Sequence, residues 1–374
     1  SLERMNAIES IDASQRCAVV QAGVTLQTLQ EAAAPHGLMF PLDLGARGSA
    51  TLGGNAATNA GGNRVIRYGM MRDMVLGAEA VLADGTVINS LSPLIKNNAG
   101  YDLKHLFVGS EGTLGVVTRL SLRLREAPVS RDMAFVALES FDHVKALLRH
   151  MDQQLGGGLS AFETLWSDYY QLVTTKPAQS RPPVPHGHDF YVLLEAQGAD
   201  GELDQQRFKM ALESAFEQGL LVDAAVSQSE SDCHAFWQIR DDVQQIFQLG
   251  TPLFFDVSLP IDRMSAYVDD VRSSLTTTEA LAVYVFGHLG DGNLHFGIPL
   301  PDDRAAALRP QIEACVYGPL AEFKGSVSAE HGIGLEKKPW LSVSRSPEEI
   351  ALMKTLKRAL DPHNILNPGK IFDV

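Results

Sequence analysis

The sequence predicts an α+β protein whose centre is an antiparallel sheet with helices on one face, flanked by a glycine-rich region before it and a helical segment after it. Three observations carry this. Between residues 128 and 325 short strand-like runs alternate with longer helical patterns, an order that suits an antiparallel sheet covered by helices. Glycine is unevenly spread, with 15 of 32 in residues 1–126, 8 in residues 127–286 and 9 thereafter. At 374 residues the chain exceeds one ordinary domain of about 100–200 residues. The expected divisions are residues 1–127, 128–325 and 326–374.

In the first division Ala18–Gln21 reads as a strand, and Thr25 caps a helix over Leu26, Leu29 and Ala33 that stops near Pro35 and Gly37. Residues 74–90 place two apolar runs around Asp84-Gly85, a hairpin signal. A strand from Val116 to Leu124 closes this part before Pro128. The middle division offers strands at Met133–Leu138, Phe190–Glu195, Leu253–Leu259 and Leu281–Phe286, and helices at Asp142–Leu155, Leu203–Gln218 and Asp262–Leu275. The proline-rich stretch Lys176–His188 reads as a flexible surface loop. Near the end, Ser346-Pro347-Glu348-Glu349 is a capping box with proline at the first helical position, opening a helix through Ile350, Met353, Leu356 and Leu360 that Asp361-Pro362 stops.

Charge and cysteine usage exclude several function classes. Lys plus Arg total 31 against 45 Asp plus Glu, a net charge of −14, so no basic footprint marks a nucleic-acid partner or an anionic membrane. No apolar run approaches the ~18 residues of a membrane span, and the opening SLERMNAIES lacks the pattern of a signal peptide. Cys17, Cys233 and Cys315 lie far apart, without the spacing of a disulfide framework or a thiolate metal site. A reducing, cytoplasmic compartment is the expectation.

Two glycine clusters stand out: Gly53-Gly54-Asn55 through Gly61-Gly62, and Gly109-Ser110-Glu111-Gly112 through Gly115. Such density lets backbone N–H groups converge on an anion such as a dinucleotide pyrophosphate. Tight turns in a loop-rich region would use the same residues. Neither cluster is a G-x-G-x-x-G or a Walker sequence.

A second feature is chemical. In GHLGDGNLH, residues 287–295, apolar runs flank Asp291-Gly292, the dipeptide that a two-residue type I′ hairpin favours. That register sets His288 opposite His295, with Cβ atoms about 4.5–5.5 Å apart, close enough to chelate a metal; a structural pair of histidines is the alternative. Leu289, Leu294 and Phe296 then share the opposite, core-facing side. A further carboxylate and imidazole stand in the turn SAEHGIG as Glu330 and His331, where a solvated polar turn would look the same. Arg240, in Phe236-Trp237-Gln238-Ile239-Arg240-Asp241, is either an anion ligand or part of a helix-surface ion pair.

The strings PLDLGARGSATLGGNAATNAGGNRVIRYGMMRD (41–73) and KNNAGYDLKHLFVGSEGTLGVVTRLSLRL (96–124), with GHLGDGNLH and SAEHGIG, resemble the vanillyl-alcohol-oxidase (VAO/PCMH) type of flavoprotein. Within it they are most similar to the FAD-linked D-2-hydroxyacid dehydrogenases. The resemblance implies the second half of a VAO/PCMH-type FAD-binding domain joined to an antiparallel-sheet substrate or cap domain. It implies FAD contacts from Pro41, Asp43, Gly45, Ser49, Thr51, Gly53, Gly54, Asn55, Thr58, Gly61, Gly62, Glu111, Gly112, Gly115 and Val117, with Asn367 of NPGK returning to the flavin ring. In the same way it implies a divalent metal, zinc first, on His288, His295 and Glu330. His331 would be the catalytic base and Arg240 the substrate-anchoring cation. In the family the FAD domain begins with a further subdomain, and this sequence starts after it; the expectation is that the chain as given binds FAD poorly or not at all.

The implied reaction is oxidation of a small-molecule D-2-hydroxy acid to the 2-oxo acid, with electrons passed on to a flavoprotein, quinone or cytochrome; a homodimer is compatible with the sequence. Other substrates of the same fold, or a flavin-free metal-binding or assembly subunit, are the alternatives. Members acting on 2-hydroxyglutarate carry a lysine where this chain has Phe254 and an asparagine where it has Gly297. The expectation is therefore a D-lactate-like monocarboxylate.

Overall fold

The computed structural model describes residues 1–374. Its contacts divide the chain into two units, Ser1–Ala127 with Ser328–Val374, and Pro128–Val327.

In the first unit five antiparallel strands form a sheet in the order β1-β2-β6-β4-β5. They are β1 (Ile8–Asp12), β2 (Cys17–Gln21), β4 (Val75–Val81), β5 (Val87–Asn89) and β6 (Val116–Arg123). A small pair, β3 (Leu38–Met39) and β7 (Arg125–Glu126), lies apart. The helix Leu26–Ala33 starts where expected, because Thr25 accepts from the Thr28 N–H. Leu26 and Leu29 are buried with Val20, Leu52, Leu120 and Leu122. Between β4 and β5, Gly85 takes φ +84° and its N–H donates to Leu82 O, which makes a three-residue loop. The helix Pro347–Leu360 carries the predicted capping box, with Ser346 and Glu349 satisfying each other's backbone N–H.

The second unit holds one seven-stranded antiparallel sheet in the order β11-β8-β10-β9-β13-β14-β12. The strands are β8 (Ser130–Leu138), β9 (Leu159–Trp166), β10 (Phe190–Gly198), β11 (Asp223–Val226), β12 (Thr251–Ser258), β13 (Tyr284–His288) and β14 (Asn293–Leu300). Long helices cover one face, as expected: Tyr267 of helix Met264–Leu275 meets Phe296, and Tyr317 of helix Ala305–Tyr317 meets Phe255. The one-face expectation is nevertheless incomplete. On the opposite face Tyr169, from helix Ser167–Thr174, stacks on Phe286 at 4.2 Å, and Phe236, from helix Glu230–Asp241, packs edge-on against Phe135. The reason lies in β8, where every residue from Met133 to Leu138 is fully buried. An unbroken apolar run needs cover on both faces, whereas a sheet with one wet face alternates.

Two further expectations are corrected. The stretch after Lys176 forms no helix or strand, but it is pinned rather than free: Tyr170 Oη donates to Val184 O at 2.7 Å, and Thr174 Oγ1 lies 2.8 Å from His186 Nε2. The histidine hairpin does not close through two residues. Phe286 pairs with His295 and Tyr284 with Gly297, and a 3-10 turn over Leu289–Asp291 with Gly292 at φ +86° completes a four-residue connection. The register is displaced by two residues from the expected one, so His288 is diagonal to His295. A shift of two preserves the faces, and Leu289, Leu294 and Phe296 are fully buried as anticipated.

Candidate active site

The second unit assembles a buried polar cluster on an apolar sheet. β13 ends at His288, β14 carries His295, β9 contributes Glu163, and the last turn of helix Glu230–Asp241 contributes Arg240. Register explains the meeting: His288 pairs with Glu163 across β13 and β9, and His295 sits beside Phe286. The two imidazoles are edge-to-face with centroids 5.1 Å apart.

Glu163 joins these parts. Its Oε1 lies 2.7 Å from His288 Nδ1, and its Oε2 accepts from Arg240 Nε at 2.8 Å. Arg240 Nη2 stands 3.0 Å from His288 Nε2, its Nη1 donates to Asp241, and its guanidinium lies over the Phe286 ring at 5.3 Å. Tyr169 Oη donates to the Arg240 carbonyl. Glu163 is 1% exposed and Arg240 8%, so Arg240 is not the surface side chain of a simple helix ion pair. Burial works to raise the Glu163 carboxyl, but His288 and Arg240 outweigh it and draw the group down to about 2. Burial, followed by His288 and Arg240, holds His295 below the ordinary imidazole range, leaving a neutral ring of the kind that ligates metals.

The first unit contains Glu330 and His331, half-buried and exposed respectively. Their turn is held from below by Glu111, whose carboxylate accepts from Ile333 N–H at 2.6 Å and Gly334 N–H at 2.8 Å. Gly332 has φ +77°, and a Cβ there would lie 2.7 Å from Glu111 Oε1. Asn367 Nδ2 donates to the Glu111 carbonyl at 2.6 Å. Glu111 and Asn367, both expected at the flavin, are thus joined in one clamp, while Gly61 closely abuts the Glu330 carboxylate.

The remaining expected flavin contacts spread over a surface loop and a helix start. Thr51 caps helix Leu52–Thr58 by accepting from Gly54 N–H. A Cβ on Gly53 would lie 2.6 Å from Ala22 Cβ, so only glycine lets the helix start against β2's end. Asn55 is 5% exposed and its Nδ2 has no partner, an orphaned donor that suits a bound polar group. Pro41 and Gly62 are buried, Thr58 donates to Gly54 O, and Asp43 is engaged by Arg64. Gly45 and Ser49 are exposed and Gly112 is half-buried, whereas Gly115 abuts the Phe107 ring and Val117 is buried in β6. Those last two can offer a ligand little beyond backbone.

Sequence reasoning missed Glu163. The available signal was a glutamate inside the apolar run Ala161-Phe162-Glu163-Thr164-Leu165-Trp166, where an ionised side chain stays buried only with a partner.

Comparisons with known proteins agree over the whole chain. A profile described as FAD linked oxidases, C-terminal domain, matches residues 127–371, and one described as FAD binding domain matches residues 1–90. The chain is 40% identical over 370 residues to the mitochondrial D-2-hydroxyglutarate dehydrogenase of Arabidopsis thaliana, covering 98% of this chain and 65% of that protein. It is 39% identical over 383 residues to a putative mitochondrial D-lactate dehydrogenase of Schizosaccharomyces pombe, covering 99% and 72%. The chain therefore spans about two thirds of the length of these relatives. Among solved structures, 4-ethylphenol oxidase from Gulosibacter chungangensis superposes with a TM-score of 0.74 at 18% identity, over all of this chain and 80% of that one. At that identity the likeness shows a shared fold, of the VAO/PCMH type.

Proposed function

Because this chain belongs to the family of FAD-linked oxidases, we propose that it serves in oxidising a D-2-hydroxy acid to the 2-oxo acid, with FAD held by the first unit. The observation that carries this reading is the buried Glu163–Arg240–His288 cluster beside His295, in a chain whose relatives are named as D-2-hydroxyacid dehydrogenases.

Oxidising a 2-hydroxy acid removes a proton from oxygen and a hydride from carbon. Bound FAD supplies the hydride acceptor, and the orphaned Asn55 amide and the glycine-lined helix start support its fit to the first unit. The protein must then hold an anion, polarise a hydroxyl and take a proton. Arg240 brings a permanent cation suited to a carboxylate. His331 takes the hydroxyl proton, imidazole being the side chain most often used as a general base. His288 and His295 offer two nitrogen ligands to a divalent ion, zinc first, and Glu330 completes the proposed set from the sequence motif; two histidines and one carboxylate leave positions open for a substrate's oxygens. Three free cysteines, two of them buried, suit a reducing compartment.

The names of the relatives favour D-2-hydroxyglutarate over the expected D-lactate-like acid. A second reading keeps the monocarboxylate, and one observation favours it. Phe254 and Gly297 are direct partners across β12 and β14, two residues beyond Asp256 and His295. Ile246 and Phe254 fill the space a side chain at 297 would occupy, and Phe247 packs on Phe254. This wall is apolar. Anaerobic flavin reduction by the full-length FAD-loaded protein tests both readings: a higher kcat/KM for D-2-hydroxyglutarate supports the first, a higher one for D-lactate or D-2-hydroxybutyrate the second. Reduction by no D-2-hydroxy acid overturns the function.

A further inference from the structure

We propose that Glu163 is a positioning residue, which sets the ring tautomer of His288 and the direction of the Arg240 guanidinium. A carboxylate oxygen paired with arginine can only accept, so His288 Nδ1, 2.7 Å from Glu163 Oε1, must carry the hydrogen. Arg240 Nη2, which can only donate, lies 3.0 Å from His288 Nε2 and 3.4 Å from Nδ1, so with hydrogen on Nδ1 the lone pair it meets is that of Nε2. Together the two contacts select the ring with hydrogen on Nδ1.

Glu163 can enforce this because it cannot move away. It is central in β9, 1% exposed, with β13 on one side and β10 on the other. Its second oxygen is occupied by Arg240 Nε at 2.8 Å, which in turn fixes where the remaining guanidinium nitrogens point. One carboxylate thus orients two functional side chains. Where the metal reading holds, an ion would take the His288 Nε2 lone pair in place of Arg240 Nη2, with the Glu163 carboxylate kept on the other nitrogen. Such outer partners usually contribute 10–100-fold to metal affinity. That consequence rests on the proposed function, whereas the tautomer does not.

The test is imidazole nitrogen NMR on full-length, FAD-loaded protein carrying 15N-histidine, with zinc removed and then restored, and His288 assigned through His288→Gln. Expected for the wild type is a single Nδ1–H ring at His288. Glu163→Gln should populate the Nε2–H tautomer and lower zinc affinity, read by chelator competition, about 10–100-fold. Glu163→Asp, which keeps the carboxylate, should restore the wild-type ring with intermediate affinity. A merely structural role for Glu163 would not move the tautomer. A wild-type His288 that is mainly Nε2–H overturns the proposal, and this stands even where Glu163→Gln does not fold. An unchanged tautomer in Glu163→Gln overturns it equally. If the wild type binds no zinc the metal reading fails, and the tautomer comparison still decides the role of Glu163.

Discussion

Replacing Lys357 by methionine should loosen the C-terminal tail of the first unit more than any single loss of a surface charge. Lys357 is 2% exposed and Asp361, one helical turn later, is 1% exposed. The lysine Nζ donates to the Asp361 carboxylate, to Thr113 O at 3.0 Å and to Leu366 O at 2.7 Å. Asp361 also accepts from the N–H groups of Ile365 and Leu366, so this ion pair ties the helix end, the tail and the loop after Glu111 together. Removing one partner of a buried pair costs about 3–5 kcal/mol. The two backbone donors left on Asp361 put this case at the lower end, about 3 kcal/mol. At about 2–4 °C per kcal/mol for a unit of this size, the first transition should fall by about 6–12 °C in thermal unfolding. Asp361 is subject to burial, which raises its pKa, but hydrogen bonds from Lys357, Leu366 and Ile365 outweigh it and hold the group below its ordinary value. A depressed folded pKa means that the contribution is fully present above about pH 4, the unfolded value, and is lost as pH falls through the folded one. The wild-type advantage over Asp361→Asn should accordingly shrink on acidification. A loss under 1 kcal/mol in Lys357→Met, or an advantage that grows at low pH, refutes the reasoning.

Other changes report on the candidate site. Gly332→Ala forces a side chain into the left-handed region, about 1–2 kcal/mol, and against Glu111 Oε1; differential scanning calorimetry should show the loss, and turnover of the full-length holoenzyme should fall with it. His331→Ala should lower dye reduction about 10²–10⁴-fold while bound metal, measured by atomic emission, stays at the wild-type level. Phe254→Lys introduces a cation at a position 43% exposed; a charge-assisted hydrogen bond of about 1.5–3 kcal/mol should raise the ratio of kcat/KM for D-2-hydroxyglutarate over D-lactate about 10–100-fold. An unchanged ratio would remove Phe254 from the substrate's surroundings.

Local chemistry was legible where a few consecutive residues settle the matter. Thr25 and the Ser346–Glu349 box start their helices because the capping hydroxyl and the N–H groups it satisfies lie within one turn. His288 and His295 were legible as neighbours on one face, because alternation along a strand survives a two-residue error in register. The four-residue connection was not legible: Asp291-Gly292 is compatible with the shorter turn, and pairing with β9 and β12 on either side selects the longer one.

Strand β9 marks the boundary between the two kinds of knowledge. Its sequence mixes Ser, Glu and Thr with apolar residues, and nothing local says that all eight of its positions are buried. Only the sheet order, which places β9 between β10 and β13, brings Glu163 to His288 and Arg240 over separations of 125 and 77 residues. The sequence alone determined the type of the elements with a clear cap or period, the faces their side chains share and the chemistry on offer, because these follow from neighbours along the chain. Tertiary structure decided which charge meets which, because a buried carboxylate's partners are set by pairing between distant strands.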